Sequence, residues 1–362
     1  MPTDKSSKRN HGLKGLRGKP LLITGGAGML GSAIAEMAVD AGARVTILDN
    51  LAPAYGGNLF NLSTVADHIR FVKGDVRDQP LLERLVPGQD AIFHLAAPVR
   101  GGGKNDPFED LDVNGKGHLA VLEACRRHNA KARIIFASSR LVYGKIKRLP
   151  VDESHPCDGL GVYGAHKLLG ETYCRIYHEL HGIDAVIFRI SNIYGPRQQM
   201  KHGGYGILNW FIRQALRGEP LTIYGRGLQK RDYVYVDDLA RGMLLGAVAG
   251  GLRCEVLNIG SGKGIALKDM AALVARAAEG KVRHAAWPKD YPRVETGDYV
   301  SDLSKIRRVL TWRPATPIEE GIEKTVAYYR RFGRHYFSDV DAAGEPVSLP
   351  ENSARRAAVV GQ

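Results

Sequence analysis

The chain has 362 residues, 44% of them hydrophobic and 25% charged, which excludes disordered and fibrous classes and leaves room for a sizeable core. The four cysteines, Cys125, Cys157, Cys174 and Cys254, form no C-x-x-C pair, so the spacing excludes a zinc site and a disulfide frame and fits reduced thiols in a cytoplasmic protein. A net charge of +13 suits a polyanionic partner, whether nucleic acid, membrane surface or phosphorylated small molecule, without choosing among them.

Residues 1–19 hold six basic residues against Asp4, and residues 1–18 read as a disordered basic tail. The apolar Leu21-Leu22-Ile23 is broken at once by Gly25, Gly26 and Gly28, which is not how a secretory signal continues. No apolar run approaches the roughly 20 residues of a membrane helix. Base-stacking aromatics do not interleave with the basic tail, which argues against nucleic-acid binding.

Pro20–Thr24 reads as a buried strand that ends at glycines. The glycines fit G-x-G-x-x-G (Gly26, Gly28, Gly31) and also G-x-x-G-x-x-G (Gly25, Gly28, Gly31). An apolar helix follows to about Ala41, then a strand Arg44–Leu48 closed by Asp49. This order is that of a dinucleotide site. Glycines let the backbone approach a pyrophosphate at a helix N-terminus, and an acid about 20 residues on receives the ribose hydroxyls. A carboxylate there repels a 2′-phosphate, so NAD is expected over NADP.

The alternation continues through strands at Ile69–Val72, Asp90–Leu95 and Arg133–Ala137, with a helix over roughly Phe108 to His128. Repeated βαβ units predict a doubly wound parallel sheet with ligands at the strands' C-terminal ends, where Asp75, Leu95, Ala96, Ala97 and Ser139 fall. His94 reads as a packed strand-end residue. Tyr163 and Lys167 are spaced to share one helix face. An ammonium held near a phenol favours the phenolate and suits carbonyl/alcohol redox chemistry.

Thr24-Gly25-x-x-Gly28-x-x-Gly31, Asp49-Asn50, Gly74-Asp75-Val76-Arg77-Asp78, His94-Leu95-Ala96-Ala97, Ser138-Ser139-x-x-Val142-Tyr143-Gly144, Tyr163-x-x-x-Lys167 and Arg189-x-x-Asn192-x-Tyr194-Gly195-Pro196 occur together. In this order they resemble the extended short-chain dehydrogenase/reductases, specifically the NAD-dependent nucleotide-sugar epimerases and dehydratases, over about residues 19–330. The resemblance implies an α/β fold, a Rossmann-type doubly wound parallel sheet with a smaller C-terminal substrate-binding α/β part. Residues 19–190 would bind NAD, 191–335 would mainly bind substrate while interleaving with the first domain, and 338–362 read as a second disordered tail.

The resemblance also implies roles. Ser139, Tyr163 and Lys167 would be catalytic: the hydroxyl of the triad, the acid/base and its electrostatic partner. Cofactor contacts would fall at Gly25, Gly28, Met29, Leu30 and Gly31, at Asp49, Asn50, Asp75 and Val76, and at Leu95, Ala96, Ala97, Asn114, Tyr163 and Lys167. Asn192, Arg231 and Arg293 would bind the substrate diphosphate or ribose. Asp237-Asp238 reads as the N-terminal cap of a helix Leu239–Val248, while Asn258-Ile259-Gly260 and Trp312-Arg313-Pro314 read as structural.

Dehydrating and decarboxylating members resemble one another in an acidic residue just after the triad hydroxyl. Here Ser139 is followed by Arg140-Leu141. The expected activity is therefore epimerisation of a nucleotide-diphosphate sugar at C4, most like a UDP-glucose 4-epimerase. The alternatives are a 4,6-dehydratase or a uronate decarboxylase on the same scaffold, and more distantly a non-catalytic NAD- or RNA-binding relative. A homodimer is expected by resemblance, through the helices carrying Lys116–Arg127 and Tyr163–Leu180, and no metal is.

Overall fold

A computed structural model describes residues 12–52, 55–98, 106–201, 204, 206–287 and 297–337. Strands β1 (Pro20–Thr24), β2 (Arg44–Asp49), β3 (Ile69–Lys73), β4 (Ala91–His94), β5 (Arg133–Ser139) and β6 (Ala185–Ile190) follow the expected alternation. After β7 (Asn192–Tyr194), β8 (Leu221–Tyr224) and β9 (Lys230–Tyr235) comes β10 (Glu255–Ile259), which joins the edge of the first sheet. That sheet has seven strands in the order β10-β6-β5-β4-β1-β2-β3, every pair parallel.

Both faces of the sheet are covered, so its strands are apolar on both sides. Leu21, Ile23, Phe93, Ile135 and Phe188 pack into one core cluster. Leu22, Ile92, Ile134, Phe136 and Ile187, on the alternate positions, pack into another. The first face carries α1 (Met29–Asp40), which packs against the later helix Val236–Val248. The second face carries α2 (Gln79–Leu85), then α3 (Pro107–Asp110) and α4 (His118–His128), and beside them α5 (Gly161–His181). The helix expected from Phe108 to His128 is not uniform, because a π-helical segment, Leu111–Gly117, joins α3 to α4.

Strand order reverses between β1 and β4, and this switch point sets the ligand crevice. Thr24 Oγ1 lies 3.0 Å from His94 Nδ1 across it, and His94 is buried, the packed residue the sequence predicts.

The second half is more regular than its sequence suggests. α6 (Ile207–Leu216), α7 (Val236–Val248) and α8 (Leu267–Ala278) surround a three-stranded sheet of β7, β9 and β11 (Gly264–Ala266) and a two-stranded pair of β8 with β12 (Val282–Ala285). α9 (Ser304–Leu310) and α10 (Ile318–Phe332) close the fold.

Two expectations change. The N-terminal tail does not run to residue 18: Leu13 and Leu16 flank and end a short 3-10 turn and are buried in the first core cluster. Two leucines among lysines carry too little periodicity to read as core. Asp238 does not cap its own helix. The helix starts at Val236, and Asp238 Oδ2 accepts from Ala315 N–H (3.1 Å) and Thr316 N–H (2.8 Å), tying down the loop before α10. The structural reading of the other two motifs holds. Asn258 Oδ1 accepts from Tyr143 Oη (2.6 Å), and Trp312 Nε1 donates to the Asp238 carbonyl (3.0 Å).

Among the described residues no helix is long and apolar enough to cross a membrane, and no cluster of His, Cys, Asp and Glu could hold a metal.

Candidate active site

A cleft of about 700 Å³ opens at the switch point and runs from the β2 end of the sheet to β7 and β9. Its floor is the glycine turn. Gly25 has φ +69° and a Cβ there would sit 2.8 Å from the Ala96 amide nitrogen, so only glycine lets β1 turn against the β4 loop. A Cβ on Gly31 would sit 2.4 Å from the Gly25 carbonyl oxygen. Gly25, Gly28 and Gly31 line the cleft, whereas Gly26 packs against Ile47, so the wider-spaced of the two readings describes the cradle. No side chain caps α1, which leaves the amides of Met29, Leu30 and Gly31 at a positive helix end in the cleft wall. This bare backbone cradle fits a dinucleotide pyrophosphate.

The far end of the cleft is acidic. Asp49 Oδ2 accepts from Ala27 N–H (3.0 Å) and Oδ1 from Leu51 N–H (2.8 Å), so the carboxylate is fixed at the end of β2. Burial pushes its carboxyl up while the two amides oppose the shift. Asp75 is gripped by Arg77 through two bonds of 2.8 Å and receives Asn50 Nδ2 at 2.9 Å. Arg77 holds the Asp75 carboxyl down at about 2. Val76, Leu95, Ala96 and Ala97 line the same wall.

The catalytic candidates converge where β5 ends. Ser139 closes that strand, and its Oγ accepts from Leu141 N–H at 3.2 Å. Tyr163 lies in the first turn of α5 and Lys167 one turn on. The Lys167 ammonium is 5.5 Å from the Tyr163 ring centre and 5.1 Å from that of Phe136. All three residues line the cleft. Burial pushes Lys167 down to about 8, with Asp110 pulling the other way. The expected depression of the Tyr163 phenol is not produced by the chain alone: burial pushes it up and Asp110 adds to the rise. A cation brought in with the cofactor would act in the opposite sense.

Asp110 was not legible as part of this site. It is fully buried, its Oδ1 lies 2.6 Å from His166 Nδ1, and it also accepts from Asn114 Nδ2 at 3.1 Å. The spacing of Asp110 and Asn114 on one helix face was the available signal. Asn114 itself does not line the cleft, and its Oδ1 is buried with no hydrogen-bond partner among the described residues.

Asn192 and Arg231 enter from the second half. β7 and β9 pair in parallel with Asn192 opposite Tyr233, which brings both strands to the cleft. Arg231 Nη1 donates to the carbonyls of Lys230 and Gly297, both at 2.9 Å. The Asn192 Oδ1 is buried without a hydrogen-bond partner among the described residues. Arg293 lies outside the described residues. Arg189, from the same motif as Asn192, is structural: it forms a buried pair with Glu171 at 2.7 Å.

Comparison with known proteins gives a consistent result. Residues 21–260 match the model of the NAD dependent epimerase/dehydratase family. A Methanocaldococcus jannaschii protein provisionally named a UDP-glucose 4-epimerase is 36% identical over 87% of this chain and 99% of its own length. A dTDP-glucose 4,6-dehydratase from Streptomyces niveus is 32% identical over 92% and 99%. The crystal structure of a UDP-glucose 4-epimerase from Thermotoga maritima, with UDP-glucose, is 31% identical and superposes with a TM-score of 0.78 over 86% of this chain and 99% of that one.

Proposed function

We propose, for a chain that belongs to the NAD-dependent epimerase/dehydratase family, that it epimerises a nucleotide-diphosphate sugar at C4 through a transient 4-keto intermediate. Bound NAD supplies the hydride acceptor that later returns the hydride. Ser139 orients the C4 hydroxyl by hydrogen bonding. Tyr163 takes the hydroxyl proton and gives it back after the sugar has turned. Lys167, cationic over part of the neutral range, holds the Tyr163 side favourable to negative charge. Arg231 and Asn192 hold the diphosphate, for which a guanidinium is suited by its paired donors.

The observation that carries this reading is where the acids stand. Elimination across C5 and C6 needs a group to take a proton from C5 and another to protonate the C6 hydroxyl. Among the described lining residues the carboxylates are Asp49, Asp75 and Glu109, all grouped with the cofactor end. Beside Ser139 stand Arg140 and Leu141, neither able to transfer a proton at usable pH. The nearby sequence acids, Asp152 and Glu153, line a separate recess instead, with Asp152 paired to Arg148 at 3.1 Å. The same alignment of acids argues against the dehydratase named among the relatives.

NMR of the purified protein with UDP-, GDP-, CDP- and dTDP-hexoses tests the reading. One pair should reach an equilibrium of two C4 epimers. A stable 4-keto-6-deoxy sugar would replace it with the dehydratase.

A homodimer belongs to the same proposal, supported by Phe108, Ile176 and Leu180, apolar yet exposed on α3 and α5. Sedimentation as a monomer at micromolar concentration would remove it.

A further inference from the structure

We infer that Glu171 is a positioning residue for the reaction: through Ser138 it sets Ser139 against Tyr163 and Lys167. The inference rests on the proposed roles of those three residues, whichever product they form. Ser139 comes from the end of β5, Tyr163 and Lys167 from the first two turns of α5, so the site spans two elements that must keep one register. Glu171 stands one turn beyond Lys167 and two beyond Tyr163, on the same helix face. Its Oε1 accepts from Ser138 Oγ at 2.5 Å, and Ser138 directly precedes Ser139. The bond joins the helix that carries the acid/base to the residue beside the triad hydroxyl.

The carboxylate is itself held. Arg189 Nε donates to Glu171 Oε1 at 3.0 Å and Arg189 Nη2 to Oε2 at 2.7 Å, a two-pronged pair with both residues buried. Arg189 lies on β6 opposite Ser138 in register, so the guanidinium backs the carboxylate from the neighbouring strand. It is fixed in turn. Its Nη1 donates to the Glu153 carbonyl at 3.2 Å, and its guanidinium carbon lies 4.8 Å from the ring centre of Tyr143. Tyr143 ends the 3-10 turn Arg140–Tyr143 that follows Ser139.

A second attachment lies on the other side of Ser139. Leu160 N–H, at the start of α5, donates to the Leu141 carbonyl at 2.8 Å, and a Cβ on Gly164 would sit 2.7 Å from the same oxygen. Further along the helix, a Cβ on Gly170 would sit 2.6 Å from the Phe136 ring. Ser139 is thus bracketed by contacts with α5 one residue before it and two residues after it. The glycine contacts set how closely the helix lies on β5. The Glu171 bonds are directional and fix where along the strand it lies. An apolar pair of the same bulk would fill the space without that direction, which gives an otherwise costly buried ion pair a use.

Removing Glu171 alone would strand a buried arginine, so the test removes the Ser138 hydroxyl instead. Ser138→Ala, Ser139→Ala and the double variant are assayed as NAD-loaded protein with UDP-glucose and dTDP-glucose, by NMR of any C4 epimer or 4-keto-6-deoxy product. Ser138→Ala should lower kcat roughly 10- to 100-fold, with KM and Tm close to wild type. In the Ser139→Ala background the same change should cost less than about twofold, because its effect passes through Ser139. Glu171→Met combined with Arg189→Met should fold and show a like loss of kcat. An unchanged kcat in Ser138→Ala, losses that multiply across the two serines, or wild-type turnover in the folded methionine pair would overturn the assignment. A 4-keto-6-deoxy product whose losses do not multiply would uphold Glu171 and overturn the epimerase reading. Turnover of neither sugar by wild type would overturn the catalytic roles and this inference with them.

Discussion

The two ends of the cleft are built differently. At the cofactor end the polar groups are already engaged: Asp49 by two backbone amides, Asp75 by Arg77 and Asn50. At the opposite end Asn192 Oδ1, Gln198 Oε1 and Tyr233 Oη are buried and have no hydrogen-bond partner among the described residues. A buried polar atom without a partner costs about 1–3 kcal/mol. The cofactor end is thus preorganised by the protein for one constant ligand. The sugar end keeps hydrogen-bonding capacity that a substrate can satisfy. The charges differ as well: Asp49 and Asp75 line one end, where Arg77 is paired to Asp75, and Arg140 and Arg231 line the other.

The largest expected effect falls where the ends meet. Tyr163→Phe should keep its fold and its NAD affinity yet lose roughly 10²–10⁴-fold in turnover. Near wild-type turnover in that variant would remove Tyr163 as the acid/base. At the acidic end, a 2′-phosphate brought to about 4 Å from Asp49 should cost roughly 1–4 kcal/mol, so NAD should bind well ahead of NADP. Dissociation constants alike for both cofactors would deny Asp49 its ribose role. At the cationic end, Arg231→Ala should weaken nucleotide-sugar binding by about 1.5–3 kcal/mol and leave NAD affinity unchanged. A matching loss of NAD affinity would mean that the ends are not separate; no loss at all would move the diphosphate elsewhere.

The same contrast decides what the sequence made legible. The cofactor end depends on backbone: a strand, glycines at fixed spacing, a helix and an acid lie within one continuous stretch, and local periodicity reports them. Even there the choice between the two glycine readings needed the packing of Gly26 on Ile47. The sugar end depends on pairing across long sequence separations. Nothing local places Asn192 opposite Tyr233, or brings β10 from residue 255 to the edge of the first sheet. Asp110 lies on the helix before β5, yet its charge acts on Tyr163 and Lys167 on the helix after it. The buried leucines Leu13 and Leu16 were hidden by their basic neighbours. Asp238 looked like a cap because its partners stand near residue 315, far along the chain.

The central claim is that hydride removed from C4 returns to C4. UDP-glucose and UDP-glucuronate deuterated at C4 measure this directly, by NMR of the products formed on the purified protein. The account predicts a C4 epimer that retains its deuterium at C4. Deuterium at C6 of a deoxy sugar, or a pentose as the sole product, would contradict it.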